Sequence, residues 1–120
     1  MIEAIPTLSL DDLCSNSKPS IVKIDVEGSE LNVLKSGKKV FNCQAPPIII
    51  IEFFEDALNR LNASCVELFD YLISRGYKIY RVKQGKLYHI KSPIDDNVIC
   101  VPNGPFGDRA KKLISSIADN

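Results

Sequence analysis

Three carboxylates fall within the six residues Asp25-Val26-Glu27-Gly28-Ser29-Glu30. The run that leads into them, Ile21-Val22-Lys23-Ile24, is rich in the β-branched residues a buried strand favours. The pattern predicts a strand over 21–26, a sharp turn at Gly28 and a helix that starts at Ser29-Glu30. In open α/β sheets, ligands sit at the carboxyl ends of strands. A carboxylate at that point can carry charge against a ligand or act as a general base, and Asp25 is placed for it. Glu27 follows two residues later. A second strand signal, the four isoleucines of Ile48–Ile51, ends in Glu52. If the two strands are parallel neighbours, Asp25 and Glu52 meet at one sheet edge. Such a pair can orient an acceptor hydroxyl or bind a divalent cation.

Each of these residues also has a plain structural reading. Asp25, Glu27 and Glu52 can be solvated strand-end groups. Glu30 in the first turn of a helix is stabilising through the helix dipole, by ~0.3–1 kcal/mol. Gly28 can serve the turn alone, or allow a ligand to approach the backbone. Phe53 and Phe54 either wall a pocket or belong to the core. Lys23 pairs with a carboxylate or emerges at an edge. His89 reads as a surface residue rather than a base.

The elements that must position these groups follow from periodicity. Residues 1–20 read as mostly irregular, with a short turn or helix at Leu8–Leu13. The first clear strand is 21–26. A helix runs from Ser29 to about Ser36, with Leu31, Val33 and Leu34 on its apolar side and Gly37 as its stop. Four consecutive isoleucines after Pro46-Pro47 suggest a strand buried on both faces, as in a parallel sheet. Ser64-Cys65-Val66-Glu67 has capping-box spacing. Val66, Phe69, Leu72 and Ile73 then recur at helical spacing, and Gly76 ends that helix. Tyr77–Val82 and Lys86–Ile90 flank a Lys83-Gln84-Gly85 turn as a hairpin. Asn97–Val101 is a further strand and Ala110–Ile117 a last helix. The order implies one α/β domain with parallel strands and an antiparallel finish.

Composition narrows the function classes. Fifteen basic and fifteen acidic residues leave no net charge. That gives no electrostatic case for nucleic acid or an anionic membrane. Tyr77, Tyr80 and Tyr88 form no regular platform for bases. The longest apolar run is too short to span a bilayer, and no basic leader precedes Glu3. Cys14, Cys43, Cys65 and Cys100 are spread along the chain without a paired spacing. They read as reduced thiols of a cytoplasmic protein rather than as a disulfide scaffold or a metal site.

The motifs resemble those of the FkbM-type methyltransferases, which use S-adenosylmethionine. Leu10-Asp11-Asp12-Leu13 resembles the leucine-aspartate segment before that family's fourth strand. Lys23, Ile24, Asp25, Glu27, Gly28 and Glu30 fill its K-I-D-x-E-G-x-E signature. Ile48–Glu52, Arg75-Gly76-Tyr77 and Asn97–Pro102 resemble its later motifs, so the resemblance spans about residues 7–103. It implies the C-terminal half of a Rossmann-like class I methyltransferase sheet, strands four to seven, without the glycine-rich half that cradles the cofactor. It also implies catalytic roles for Asp25, Glu27 and Glu52, and cofactor contacts for Asp25, Gly28 and Glu30. The implied reaction is O-methyl transfer to a sugar or secondary-metabolite hydroxyl. No glycine-x-glycine cluster occurs in the chain, so weak or no S-adenosylmethionine binding is expected of this chain alone.

Two other functions stay open on the residues. One is a non-catalytic module that pairs with a second copy or a complementing chain through an exposed edge at strand 21–26. The other is a metal-dependent hydrolase built on Asp25, Glu27 and Glu52, which would lack histidine ligands.

Overall fold

The structure is a computed structural model that describes residues 2–4, 9–13, 19–43, 45–104, 107–109 and 111–112. Strands β1 (Ile2–Ala4), β2 (Ile21–Ile24), β3 (Ile48–Glu52), β4 (Tyr77–Lys83), β5 (Lys86–His89) and β6 (Asn97–Pro102) form one sheet. Its order is β1-β2-β3-β6-β4-β5. The first three strands run parallel, with Ala4 opposite Ile24 and Ile24 opposite Ile51. β6 runs antiparallel to both β3 and β4, and β4 is antiparallel to β5. A mixed α/β sheet, parallel and then antiparallel, is the expected class.

The physical reason lies in the strands themselves. Ile48, Ile49 and Ile51 are buried and Ile50 half-buried, because β3 is central and covered on both faces. Val22 and Ile24 are buried on β2, while Ile21 and Lys23 are partly exposed. The helices α1 (Leu10–Leu13), α2 (Glu30–Lys35), α3 (Lys38–Phe41), α4 (Glu55–Arg60) and α5 (Cys65–Ser74) accompany the sheet among the described residues. Leu34, Leu58, Leu68 and Leu72 join Ile49, Ile51 and Tyr77 in a single apolar core. The Tyr77 hydroxyl donates to the Pro47 carbonyl at 2.6 Å. That bond satisfies the one polar atom of a ring otherwise enclosed by the core.

Several expectations need correction. The first strand ends at Ile24, not at residue 26. Residues 2–4, read as irregular, form β1 and pair with β2. Three residues with no flanking strand signal carry too little pattern to be recognised alone. The strand at 21–24 is therefore not an edge, and β1 and β5 hold the two edges instead. Along α5 the buried residues are Cys65, Leu68, Phe69 and Leu72, whereas Val66 and Ile73 are exposed. Ser64 caps α5 as expected, since the Glu67 N–H donates to Ser64 Oγ at 3.1 Å, and the Glu67 carboxylate accepts from the Ser64 hydroxyl at 3.4 Å. The short helices α3 and α4 were not expected. The expected last helix, Ala110–Ile117, and Cys14 lie largely or wholly outside the described residues, although 107–109 and 111–112 are helical.

Candidate functional site

The register brings the two expected carboxylates to one edge. Ile24 and Ile51 are partners on adjacent parallel strands, and the next residue on each is Asp25 and Glu52. Both side chains are exposed. Neighbouring strands lie roughly 4.8 Å apart, so both residues fall at the carboxyl-end edge of the sheet, Asp25 just past the end of β2 and Glu52 as the last residue of β3. Glu27 is exposed as well, and its backbone takes a positive φ of 47°.

The turn after β2 is held from within by Glu30. This side chain is only 3% exposed. The Gly28 N–H donates to Glu30 Oε1 at 2.8 Å, and the Val26 N–H donates to Oε2 at 3.3 Å. Ser29, at the helix N-terminus, makes no side-chain cap. Glu30, in the first turn of α2, accepts instead from N–H groups of the turn that precedes the helix. Its carboxylate therefore faces the backbone of the turn.

Gly28 is fixed by two demands. Its φ is 105°, which L side chains rarely adopt. A Cβ there would lie 2.3 Å from the Ala57 carbonyl oxygen and 3.3 Å from Leu61 Cδ1. The close approach that glycine permits is thus to α4, inside the protein. Of the three residues implied for cofactor contact, Asp25 alone presents an exposed side chain.

An open cleft of about 360 Å³ lies beside Glu52. Phe53, Phe54, Asp95, Asp96 and Asn97 complete its lining. Phe53 is buried, and Phe54 is 42% exposed. The Asp95 Oδ1 accepts from the Glu55 N–H at 3.2 Å and so caps α4. The Asp96 backbone carbonyl accepts from the Phe53 N–H at 2.9 Å, and its side chain pairs with Arg81 at 3.5 Å. No local spacing places Asp95 or Asp96 at the site, and Asn97 enters the sequence reading only as the start of the Asn97–Pro102 motif. They arrive because β6 begins beside the end of β3, with Asn97 opposite Glu52. An antiparallel return of this kind leaves no local spacing to read.

Of the expected carboxylates Glu52 alone lines this cleft; Asp25, Glu27, Lys23 and His89 do not line it. Lys23 is half-buried within β2, opposite Ile50. His89 is exposed on β5, its ring 5.3 Å from that of Tyr80. Among the described residues, no group of three or more His, Cys, Asp or Glu side chains is arranged to hold a metal ion. Burial and the nearby Glu55 carboxylate push the Cys65 thiol up to about 12. Burial also raises the Cys100 thiol and the Tyr77 hydroxyl. These groups are neutral core members at ordinary pH.

The leucine-aspartate segment is explained by the fold. Asp11 Oδ1 accepts from the backbone N–H groups of Lys39 and Val40, each at 3.0 Å. It caps α3 from a distance in sequence that helix signals do not cover.

With this geometry in place, the comparison with protein families is decisive. The model of the methyltransferase FkbM domain matches residues 2–79. The chain belongs to the FkbM methyltransferase family. The matched span runs from β1 into β4 and includes the Asp25–Glu30 turn and Glu52. It ends before the Asn97–Pro102 segment. No curated protein and no solved structure matches the chain. In this FkbM domain, the signature divides between exposed groups, Asp25 and Glu27, and groups that build the turn, Gly28 and Glu30. Among the described residues, no helix is long and apolar enough to cross a membrane.

Proposed function

We propose that this FkbM domain takes part in S-adenosylmethionine-dependent O-methyl transfer to a hydroxyl of a sugar or secondary metabolite. The observation that carries the reading is that Asp25 and Glu52 directly follow Ile24 and Ile51, which are partners on adjacent parallel strands. S-adenosylmethionine supplies an electrophilic methyl group on a cationic sulfonium. The exposed carboxylates at this edge fit a cationic ligand by charge, and they fit a hydroxyl as hydrogen-bond acceptors. In this reading Asp25 takes the proton from the acceptor hydroxyl. Glu52 accepts a second hydrogen bond and orients the acceptor, with Phe54 as an apolar wall of the cleft. Glu27 adds negative charge beside them, and Glu30 and Gly28 position the turn.

The order β2-β3-β6-β4, with β6 antiparallel, supports a relation to the later half of a Rossmann-like methyltransferase sheet. The chain carries no glycine-x-glycine loop. The cofactor's other wall then comes from another segment or from a partner chain, and the affinity of this chain alone is weak. Tight sites enclose ~70–90% of a ligand's surface, and an open edge cannot.

A titration of the isotope-labelled chain with S-adenosylmethionine, followed by amide NMR shifts, tests both parts. Shifts confined to Asp25–Gly28, Glu52–Phe54 and Asp95–Asn97, without saturation at micromolar ligand, are expected. Their absence at these positions refutes the site. Micromolar binding that vanishes in Asp25→Ala refutes the need for a second wall.

A further inference from the structure

The net charge of zero conceals a strongly one-sided segment. Between Tyr77 and Lys91 the chain carries Lys78, Arg81, Lys83, Lys86 and Lys91 and not one Asp or Glu. These residues form the β4–β5 hairpin. Its loop is Gln84-Gly85, both at positive φ, 52° and 73°. That is the two-residue connection favoured by twisted strands. β6 pairs with Tyr77–Tyr80 only, so the rest of the hairpin stands clear of its neighbour. Arg81 has an ion-pair partner, Asp96. Lys78, Lys83, Lys86 and Lys91 are exposed and have no carboxylate partner among the described residues.

The tip also works against its own folding. Lys83 and Lys86 are directly opposite each other in the ladder. Like charges across a strand pair are destabilising. A bound anionic surface would relieve that repulsion.

The distribution of the groups selects the kind of partner. Residues opposite each other share a face. Arg81, Lys83, Lys86 and Tyr88 therefore lie on one face of the hairpin, and Lys78, Val82, Leu87 and His89 on the other. Lys111 joins the second face, 5.1 Å above the Tyr80 ring. The part of this charge that a plane approached end-on meets is the terminal pair Lys83 and Lys86, since Lys78 and Lys111 lie further back along the hairpin. Val82 and Tyr88 are each 45% exposed and stand just behind the terminal lysines. Lysine stems can fold back to phosphates while such groups reach the headgroup level. A nucleic-acid platform needs several exposed rings. Tyr77 and Tyr80 are buried, which leaves Tyr88 and the small His89 ring.

We propose that the β4–β5 hairpin docks this protein, tip first, onto an anionic phospholipid surface. The proposal does not depend on the methyl-transfer reading, because it rests on the hairpin alone.

The test is co-sedimentation of the full chain with phosphatidylcholine vesicles, with and without phosphatidylserine. Binding to the anionic vesicles alone is expected, with a steep loss as salt is raised. Lys83→Ser/Lys86→Ser should weaken it roughly 30-fold, at about fivefold for each lysine near such a surface. Val82→Ser should weaken it while leaving the salt dependence unchanged. Circular dichroism and thermal melting confirm that each variant is folded. Equal binding to neutral vesicles overturns the proposal, as does binding that survives the double substitution in a folded protein. So does a chain that ignores both vesicles but retains a labelled oligonucleotide.

Discussion

Glu30 provides the sharpest check on the reading of the signature turn. Its carboxylate is buried and accepts two backbone N–H bonds, at 2.8 Å from Gly28 and 3.3 Å from Val26. A hydrogen bond to a charged group contributes about 1.5–3 kcal/mol. The longer of the two bonds belongs at the bottom of that range. Glu30→Ala removes both and leaves two donors short of partners in a closed turn. The expected loss is therefore about 3–4 kcal/mol. Chains of this size are stable by roughly 6–18 kcal/mol, so the loss is a large share. Glu30→Gln keeps one acceptor oxygen but sets an amide NH2 against an N–H donor. It should lose about half as much, roughly 2 kcal/mol. Urea unfolding of the three proteins gives these differences as shifts in midpoint at constant slope. A Glu30→Ala loss below about 1 kcal/mol would refute the argument. The buried carboxylate would then not be what holds the turn.

Other substitutions separate the site from its supports. Gly28→Ala puts a Cβ 2.3 Å from the Ala57 carbonyl oxygen at a φ of 105°, so strain and overpacking together should cost about 2–5 kcal/mol in the same unfolding assay. Asp25→Asn, at an exposed position, should leave the unfolding midpoint within about 0.5 kcal/mol of the parent yet reduce methyl transfer at least about 100-fold; equal rates would exclude Asp25 as the base. Under reducing conditions stability should fall with alkali. Burial holds the Cys65 and Cys100 thiols protonated in the folded chain, whereas unfolded thiols ionise near 9.0. Above that pH the unfolded state binds fewer protons, so stability declines, by about 3 kcal/mol for the two thiols between pH 8 and pH 10. Unfolding curves at the two pH values check it, and a flat response would refute it.

How far these features were legible in the sequence depends on the range of the interactions behind them. The parallel pairing of 21–24 with 48–52 was readable, because four isoleucines in a row demand cover on both faces. The hairpin was readable from a two-residue polar loop between apolar runs. Strand β1 was not, because its three residues gain their conformation only by pairing with β2. The end of β2 at Ile24 was missed for a related reason. Asp25 and Val26 continue the apolar-polar alternation, but the backbone is already turning to meet the Glu30 carboxylate.

The same logic explains why the site was half visible. Asp25 and Glu52 follow strong strand signals, so their place at one edge of the sheet follows from the register of Ile24 with Ile51. Asp95 and Asp96 stand in a loop with no pattern and reach the cleft through the antiparallel return of β6. Glu30 illustrates the deeper difficulty. Its position in the signature suits a helix N-terminus, a ligand contact or a turn clamp equally well, and only the burial of the carboxylate separates them. Gly28 is similar, since the body that approaches its missing side chain is Ala57, twenty-nine residues further on. Two letters of the signature thus specify the shape of a loop. The signature's other two acidic letters, Asp25 and Glu27, are exposed. A family signature can therefore persist through structural need at some positions and chemical need at others. Stability measurements on Gly28 and Glu30, set beside transfer rates on Asp25, tell the two apart.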